Sequence, residues 1–506
     1  MQKPFETSVL NQQNAASGEK PTVFTAAVDV LLLNDESALT DLRLVRQVPD
    51  KRYVYRGHWQ GQHVYAKLFI GKNNAYYASR DLTGVQHLMQ AGITTPPLLF
   101  QGQTQDKQAE VLVFVAIEHA KNAEDVWQGC DNEARFELAQ RLVLTLARHH
   151  QAGLIQTDLY FKNFLIQEKN VYTLDGDGIR RLSRVFRKRQ RLRNLATLLS
   201  KMDVLNDKWI PLLYQHYCQQ LNTLYALADE AAVQTQTRKI RSRMAGAYAD
   251  KKVFRNCTDV KVSKQFDSFL AVSRDFEMSS VTPQFLDSAL VDKKANLKNG
   301  NTCTIAKALI ADRQVVIKRY NIKNTWHGLN RAFRVSRAAL SWANAHRLMI
   351  SDIATPKPLA LLEERFGCLR RRAYFLSEYI EAPDAMQFFL QSAKLEDKEA
   401  VASNIATLFH RLYLFRYSHG DCKATNIKIV NLSPVLIDLD GMQAHRHGCC
   451  FDWWFERKHI KDLQRLMKNW EHDAETTHIL KQAMRLEYAS QDINTADNIL
   501  IRAGIA

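Results

Sequence analysis

The feature that most constrains this chain is a spacing that occurs twice. In GLIQTDLYFKNFLI, Asn163 follows Asp158 by five residues, and Asp175, in VYTLDGDG, follows it by seventeen. In YSHGDCKATNIKIV and VLIDLDGM the same two intervals separate Asp421 from Asn426 and from Asp438. A single DxxxxN is common and usually marks a turn or a helix cap. Two copies carry more, because each follows an amphipathic stretch of helix length, precedes a strand with an Asp at its end, and lies downstream of a strand bearing one lysine. Those lysine strands are VYAKLFI, with Lys67, and QVVIKRY, with Lys318. Both alternate apolar and polar positions as a half-buried strand does.

The remaining order repeats as well. After each lysine strand a helical stretch stops before proline, DLTGVQHLMQAGITTPP in one half and SWANAHRLMISDIATPKP in the other. Apolar strands follow, VLVFVAIEHA closing on Glu118 and YFLSEYIEA closing on Glu378. Next come helices with apolar residues at helical spacing: Leu138, Leu142 and Leu146 in the first half, Val401, Ile405, Leu408 and Leu412 in the second. A chain of 506 residues is also longer than one hydrophobic core usually organises. The expectation is two tandem domains, residues 1–255 and 256–506, divided within the polar and basic stretch between 250 and 280. IPLLYQHYCQQLNTLYALA falls in the first domain, and the strands of the second repeat begin near Phe285.

The spacing makes chemical sense for phosphoryl transfer. In a kinase catalytic loop an Asp orients the attacking hydroxyl, an Asn five residues later holds a magnesium ion, and a second Asp at the end of the next strand holds the metal on the nucleotide phosphates. Mg²⁺ prefers hard oxygen ligands and keeps several waters, so one carboxylate and one amide oxygen per domain suffice once phosphate completes the shell. Asp158 and Asp421 take the catalytic role, Asn163, Asp175, Asn426 and Asp438 the metal role. Lys67 and Lys318 grip the nucleotide phosphates as point charges. Asp81 is the acidic partner available to Lys67, whereas the aligned residue in the second half is Ser341. Glu118 and Glu378 stand where an adenine-binding hinge would lie, and read equally well as ordinary strand ends. Neither half has a full GxGxxG: YRGHWQGQHVYAK offers Gly57 and Gly61, NGNTCTIAK offers Gly300, and each also reads as a plain hairpin turn.

Composition narrows the partners. The net charge of +16 favours an anionic partner, but no zinc-finger spacing or aromatic RNA-binding signature points to nucleic acid. The longest apolar runs are strand-sized, short of the roughly 20 residues of a membrane-spanning helix. The polar opening segment lacks a signal-peptide core, so the expected location is cytoplasmic. Eight cysteines without a CxxC pair read as reduced thiols. Two basic runs follow the second acidic motif of each half, Arg180 to Asn194 and His445 to Lys461. They read either as solvated helix faces or, with Trp453, Trp454 and Phe455, as a surface for an anionic membrane. His445, His447 and His459 lack ligand spacing and read as solvated histidines.

Through VVIKRYNIK, SWANAHRLM, FLSEYIE, HGDCKATNI, LIDLDGM and KDLQRLMKNW, the stretch Gln314 to Trp470 resembles the lipopolysaccharide core kinases that phosphorylate heptose or Kdo. Val64 to Leu199 is similar to the same family, less tightly. The resemblance implies an α+β protein-kinase-like bilobal fold in each half, ATP and Mg²⁺ as cofactors, and lipopolysaccharide core oligosaccharide-lipid A as acceptor, met at the anionic cytoplasmic face of the inner membrane. It also implies that Lys423, two residues after Asp421, steadies the transferred phosphate. The first half departs from the motif, with Gln156 where the second has His419 and Tyr160 where it has Lys423. The second half therefore has the better loop and the first the better ion pair. Two alternatives stay open: pseudokinase domains serving as an envelope-assembly scaffold, and a protein or small-molecule kinase sharing the cleft chemistry.

Overall fold

The computed structural model describes residues 27–277, 279, 281–292, 296–310, 312–321, 334–391, 394–489 and 493–505. The opening segment read above as lacking a signal core, residues 1–20, lies outside them. By internal contacts the chain divides into two compact units, Met1–Val185 and Phe186–Ala506.

The first unit is built on an antiparallel sheet of β1 (Ala27–Leu32), β2 (Ala38–Val48), β3 (Arg52–Trp59), β4 (Gln62–Phe69), β5 (Leu98–Gln103) and β6 (Glu110–Val115), in the order β1-β2-β3-β4-β6-β5. The alternation in β4 is obeyed. Val64, Ala66 and Leu68 are buried against Tyr55, Val111 and Val113, so Lys67, between them, points to the other face. Helix α1 (Asn74–Gln90) buries Ala78, Asp81, Gly84, Val85 and Leu88, one face at helical spacing. It stops at Gly92, whose φ of 65° is left-handed, and Pro96 and Pro97 follow. Helices α2 (Ala123–Gly129) and α3 (Asn132–Gln151) come next. The Asp131 side chain caps α3 by accepting from the Ala134 N–H at 2.9 Å. The short strands β7 (Lys121–Asn122), β8 (Leu154–Gln156), β9 (Phe164–Gln167), β10 (Asn170–Thr173) and β11 (Ile179–Arg181) carry the first acidic motif between β8 and β9 and the second after β10.

The second unit begins with α4 (Arg187–Leu199), α5 (Ile210–Leu221) and α6 (Leu227–Ala249). Its sheet joins β12 (Val260–Lys264), β13 (Ser268–Ser273), β14 (Lys298–Asn299), β15 (Cys303–Ile310), β16 (Arg313–Tyr320), β17 (Pro358–Phe366) and β18 (Leu369–Glu378), in the order β12-β13-β17-β18-β16-β15-β14. The sheet therefore starts at Val260, earlier than the sequence pattern suggests. Phe285 sits instead in the short helix α7 (Pro283–Ser288), which Thr282 caps. Helix α8 (Arg337–Ile350) is capped by Ser336. There follow α9 (Ala385–Gln391), α10 (Leu395–Phe415), the short strands β19 (Tyr417–Ser418), β20 (Ile427–Val430), β21 (Ser433–Leu436) and β22 (Gln443–Ala444), and helices α11 (Cys449–Met467), α12 (Ala474–Ala489) and α13 (Ile493–Ala503).

Val401, Ile405, Leu408 and Leu412 form the buried stripe of α10 against Ile427, Leu436, Leu463 and Met484. Removing one such leucine side chain typically costs about 2–5 kcal/mol. Val204 joins this same core, Arg411 pairs with Asp203 at 2.8 Å, and the Trp342 indole donates to the Val253 carbonyl at 3.1 Å. Residues 203–253 are thus tied to α8 and α10 by packing and by polar contacts.

Candidate active sites

In the first unit three charged elements converge. Lys67 Nζ lies 2.7 Å from Asp81 Oδ2 and 3.7 Å from Asp175 Oδ1, and Arg52 Nη1 lies 3.5 Å and 3.4 Å from the same two carboxylates. Asp81 is fully buried on the apolar face of α1, a placement that would be costly without those cations and the Gly176 N–H, which donates to its other oxygen at 3.1 Å. A carboxylate one methylene shorter than Glu reaches because the helix comes unusually close. A Cβ on Gly84 would stand 1.8 Å from the Gly176 carbonyl oxygen, and one on Gly176 would stand 2.1 Å from the Asp81 carbonyl oxygen. Only a glycine pair permits this approach. Gly84→Ala should destabilise the unit by about 1–3 kcal/mol through overpacking and, by lifting α1, weaken nucleotide binding there. Thermal melts and an ATP titration check this, and a variant that melts and binds as wild type would dissociate the glycine contact from the ion pair.

Asp175 and Asp438 share a backbone conformation that side chains rarely adopt, with φ 64°, ψ 81° and φ 61°, ψ 59° respectively. A non-glycine residue in the left-handed region costs up to about 1–2 kcal/mol, least for Asp and Asn, and the conformation recurs at both equivalent aspartates. Burial opposes ionisation of Asp175, but Lys67 and Arg52 outweigh it and hold the carboxyl below the usual carboxylate value. Burial is likewise outweighed at Asp438 by Lys318. Because both folded values are depressed, this attraction stabilises the fold above the ordinary carboxylate pKa and is lost only as pH falls through the lowered one.

The two loops are held alike. Asn163 Nδ2 donates to the Asp158 carbonyl at 2.9 Å and Asn426 Nδ2 to the Asp421 carbonyl at 2.8 Å, which turns each amide oxygen away as a free hard ligand. Asn163 and Asn426 also accept, through their own carbonyls, the N–H of Leu174 at 2.8 Å and of Ile437 at 3.0 Å. One difference read from the sequence narrows here. His419 Nε2 sits 3.0 Å from the Ile437 carbonyl and Gln156 Nε2 donates to the Leu174 carbonyl at 3.5 Å, so both residues brace the loop against the residue preceding the left-handed aspartate.

The second unit balances its lysine differently. Lys318 Nζ hydrogen-bonds Asp438 and lies 3.0 Å from Asp440 Oδ2, which Arg337 Nη2 also meets at 2.7 Å. Burial alone would lower the Lys318 pKa, but Tyr320, Asp438 and Asp440 raise it, so the ammonium stays charged. Ser341 takes no part in that pair and bonds the Tyr320 hydroxyl at 2.9 Å. Three residues on, where the first unit has Gly84, Asn344 ties α8 to the acidic turn by donating to the Leu439 and Met442 carbonyls at 2.9 and 3.0 Å. The Asp421 carboxylate is flanked by Lys423 at 3.5 Å and Arg465 at 3.3 Å. Behind it Asp462 accepts the N–H groups of His419 and Gly420 at 2.7 and 3.0 Å, and burial pushes its carboxyl above the usual value. Arg52, Asp440, Arg337, Arg465 and Asp462 carry no spacing signal; only the recurring acidic residue two after the strand-end Asp hints at Asp440.

Cavities open beside both lysines. That of the first unit, about 1130 Å³, is lined by Arg52, Val54, Lys67, Lys162, Asn163 and Asp175 among others; that of the second, about 520 Å³, by Lys318, Glu378, Tyr379, Asn426 and Asp438 among others. Glu378 ends β18 at the cavity wall. Glu118 does not end its strand, since β6 stops at Val115; it lies in a turn with its side chain exposed, and Ile117 and Ala120 line the cavity instead. Gly61 occupies the two-residue turn between β3 and β4, φ 78°, one hairpin away from the cleft, so the glycines of the first half do not cover the cavity. Among the basic-run residues, Trp453 and Trp454 are exposed but Phe455 is buried. His459 is buried too, its Nε2 2.7 Å from the Tyr488 hydroxyl, while His445 and His447 are half-buried and bonded to Ser418 and Ser242. These histidines are structural, not solvated.

A lysine, a carboxylate at a left-handed turn and an Asp-to-Asn loop, gathered around one cavity, fit a metal–nucleotide complex: Asp175 with Asn163, and Asp438 with Asn426, supply hard oxygens. Among the described residues no cluster of three His, Cys, Asp or Glu forms a closed metal cage. The model of the lipopolysaccharide kinase (Kdo/WaaP) family matches residues 43–219 and 290–492. No curated protein matches. Among solved structures, "WaaP in complex with acyl carrier protein" is 16% identical, covers 40% of this chain and 88% of that one, and has a TM-score of 0.31. The 2.2 Å structure of WbdD is 13% identical, with 38% and 50% coverage and a TM-score of 0.28.

Proposed function

This chain belongs to the lipopolysaccharide kinase (Kdo/WaaP) family, and on that premise we propose that it transfers the γ-phosphate of ATP to a heptose or Kdo hydroxyl of the lipopolysaccharide inner core. It is a phosphotransferase of α+β, kinase-like construction, and the family match falls in two segments. We take the two catalytic repeats as residues 1–255 and 256–506 in sequence, with residues 186–255 belonging by their contacts to the second compact unit. The observation that carries the reading is the pair of left-handed aspartates, Asp175 and Asp438, each beside a strand lysine and an Asp-to-Asn loop.

In this reading Asp421, and in the other repeat Asp158, orients the acceptor hydroxyl and takes its proton. Lys423 neutralises charge on the phosphate in transfer, and Lys67 and Lys318 hold the nucleotide phosphates. Bound Mg²⁺, on Asp175 with Asn163 and on Asp438 with Asn426, would offset the phosphate charge. The rest is positioning. Asp462 and His419 fix the second loop, and Gln156 braces the first.

The test is ATP-dependent phosphate incorporation into purified core-lipid A, located by mass spectrometry. Label on a heptose or on Kdo decides between the sugars, and no label on either would refute the reading. The net charge of +16 and the exposed Trp453 and Trp454 suit an anionic membrane bearing that acceptor; among the described residues no helix is long and apolar enough to cross one. Binding to anionic vesicles should be released by salt, because exposed charges are screened within about 10 Å at 0.1 M. Protein that ignores such vesicles at low salt would count against a membrane-borne acceptor.

A further inference from the structure

The hairpin joining β2 to β3 reads Val48-Pro49-Asp50-Lys51-Arg52. Its arms face the first cavity, which Val45, Arg46, Arg52 and Val54 help to line. It contains no glycine, Pro49 has no N–H to offer, and Asp50 would repel phosphate, so the hairpin is poorly suited to cradling phosphates with backbone amides. What it presents is cationic side chains.

Arg52 is the best placed of these. Its side chain is only 15% exposed, and its guanidinium stands 3.4 Å from Asp175 and 3.5 Å from Asp81. Asp81 already has Lys67 at 2.7 Å and the Gly176 N–H at 3.1 Å, so it stays compensated if Arg52 leaves. Asp175 is different, because a divalent cation and a guanidinium would compete for the same carboxylate. We propose that Arg52 is a nucleotide-phosphate ligand of the first cleft, stored on Asp175 and released to the phosphates when Mg²⁺ takes that carboxylate. The guanidinium is suited to this, since its planar fork pairs with two phosphate oxygens where the ammonium of Lys67 acts as a point charge. In the second repeat the cation on the corresponding cavity wall is Lys298 on β14, which has no such fork.

This assignment rests on the first cleft being a nucleotide site, and the experiment separates the two. Mg·ATP and AMP are titrated calorimetrically into the full chain carrying Asp438→Asn, which confines the Mg·ATP signal to the first cleft and leaves any AMP signal of the second cleft as a constant background, with Arg52 intact or changed to Gln or Lys. Arg52→Gln should weaken Mg·ATP roughly 10- to 100-fold, as expected for loss of a charge-assisted hydrogen-bonding group, and leave AMP within about threefold. Arg52→Lys should recover part of the loss. Unchanged Mg·ATP affinity in Arg52→Gln, or an equal loss for AMP, would overturn the assignment and leave Arg52 a packing residue. No binding of Mg·ATP with Arg52 intact would overturn the nucleotide reading of this cleft itself.

Discussion

Asp421→Asn should lower phosphate transfer by the second repeat roughly 10²- to 10⁴-fold, the usual contribution of a positioned general base. The substitution keeps shape and hydrogen-bonding capacity but removes the group that receives the hydroxyl proton. The loop should hold, because what Asn426 grips is the Asp421 carbonyl, at 2.8 Å, and what Asp462 grips are the N–H groups of His419 and Gly420. None of these bonds involves the carboxylate. Lys423 and Arg465 lose their partner at 3.5 and 3.3 Å, but all three side chains are substantially exposed, so the ion pairs are worth little to stability. Asp158→Asn should cost less of the total turnover, because its loop has Tyr160 where the second has Lys423. Phosphate incorporation into core oligosaccharide by each single variant and by the double one makes the comparison. If Asp158→Asn abolishes transfer and Asp421→Asn spares it, the first repeat is the catalyst, and the Lys67–Asp81 pair outweighs the missing lysine.

What the sequence makes legible here is local. The five- and seventeen-residue intervals, the strand lysines and the stripe Val401, Ile405, Leu408, Leu412 are each properties of one short segment, and the structure places them on elements of the expected kind. Contacts between segments are not legible in that way. Arg52 meets Asp175 across 123 residues, and Asn344 meets Leu439 across 95; neither pair has a spacing rule. Gly84 looks like a weak point in a helix until the turn at Gly176 is brought against it. Glycine search fails in the first cleft for a physical reason: Gly57 and Gly61 belong to the hairpin that leads into the lysine strand, and the hairpin over the cavity uses arginine. Phe455 and Trp454 are adjacent in sequence, yet a helix sends one into the core and the other to solvent, a distinction that composition cannot make.

Asp175→Asn and Asp438→Asn should each abolish one magnesium–nucleotide site and leave the other. Calorimetric titration of the wild-type chain with Mg·ATP should then count two sites, either single variant one, and the double variant none. The expectation follows from donor chemistry, since Mg²⁺ demands hard, charged oxygen and each domain offers a single carboxylate at the left-handed turn beside one amide oxygen. Loss of fold is a poor alternative explanation for such a result. In Asp175→Asn, Lys67 keeps Asp81 at 2.7 Å, and in Asp438→Asn, Lys318 keeps Asp440 at 3.0 Å, so neither the half-buried Lys67 nor the buried Lys318 is left without a counter-ion, the situation that makes breaking a buried pair expensive. Adding nucleotide without Mg²⁺ supplies the control. If the assignment is right, the wild-type advantage over each variant shrinks sharply when the metal is withheld, because the removed carboxylate acts through the ion. Two variants that bind Mg·ATP like the wild-type chain, with the same number of sites, would mean that Asp175 and Asp438 hold only their neighbouring cations, Arg52 and Lys67 or Lys318, and that the left-handed turns serve the fold instead of the metal.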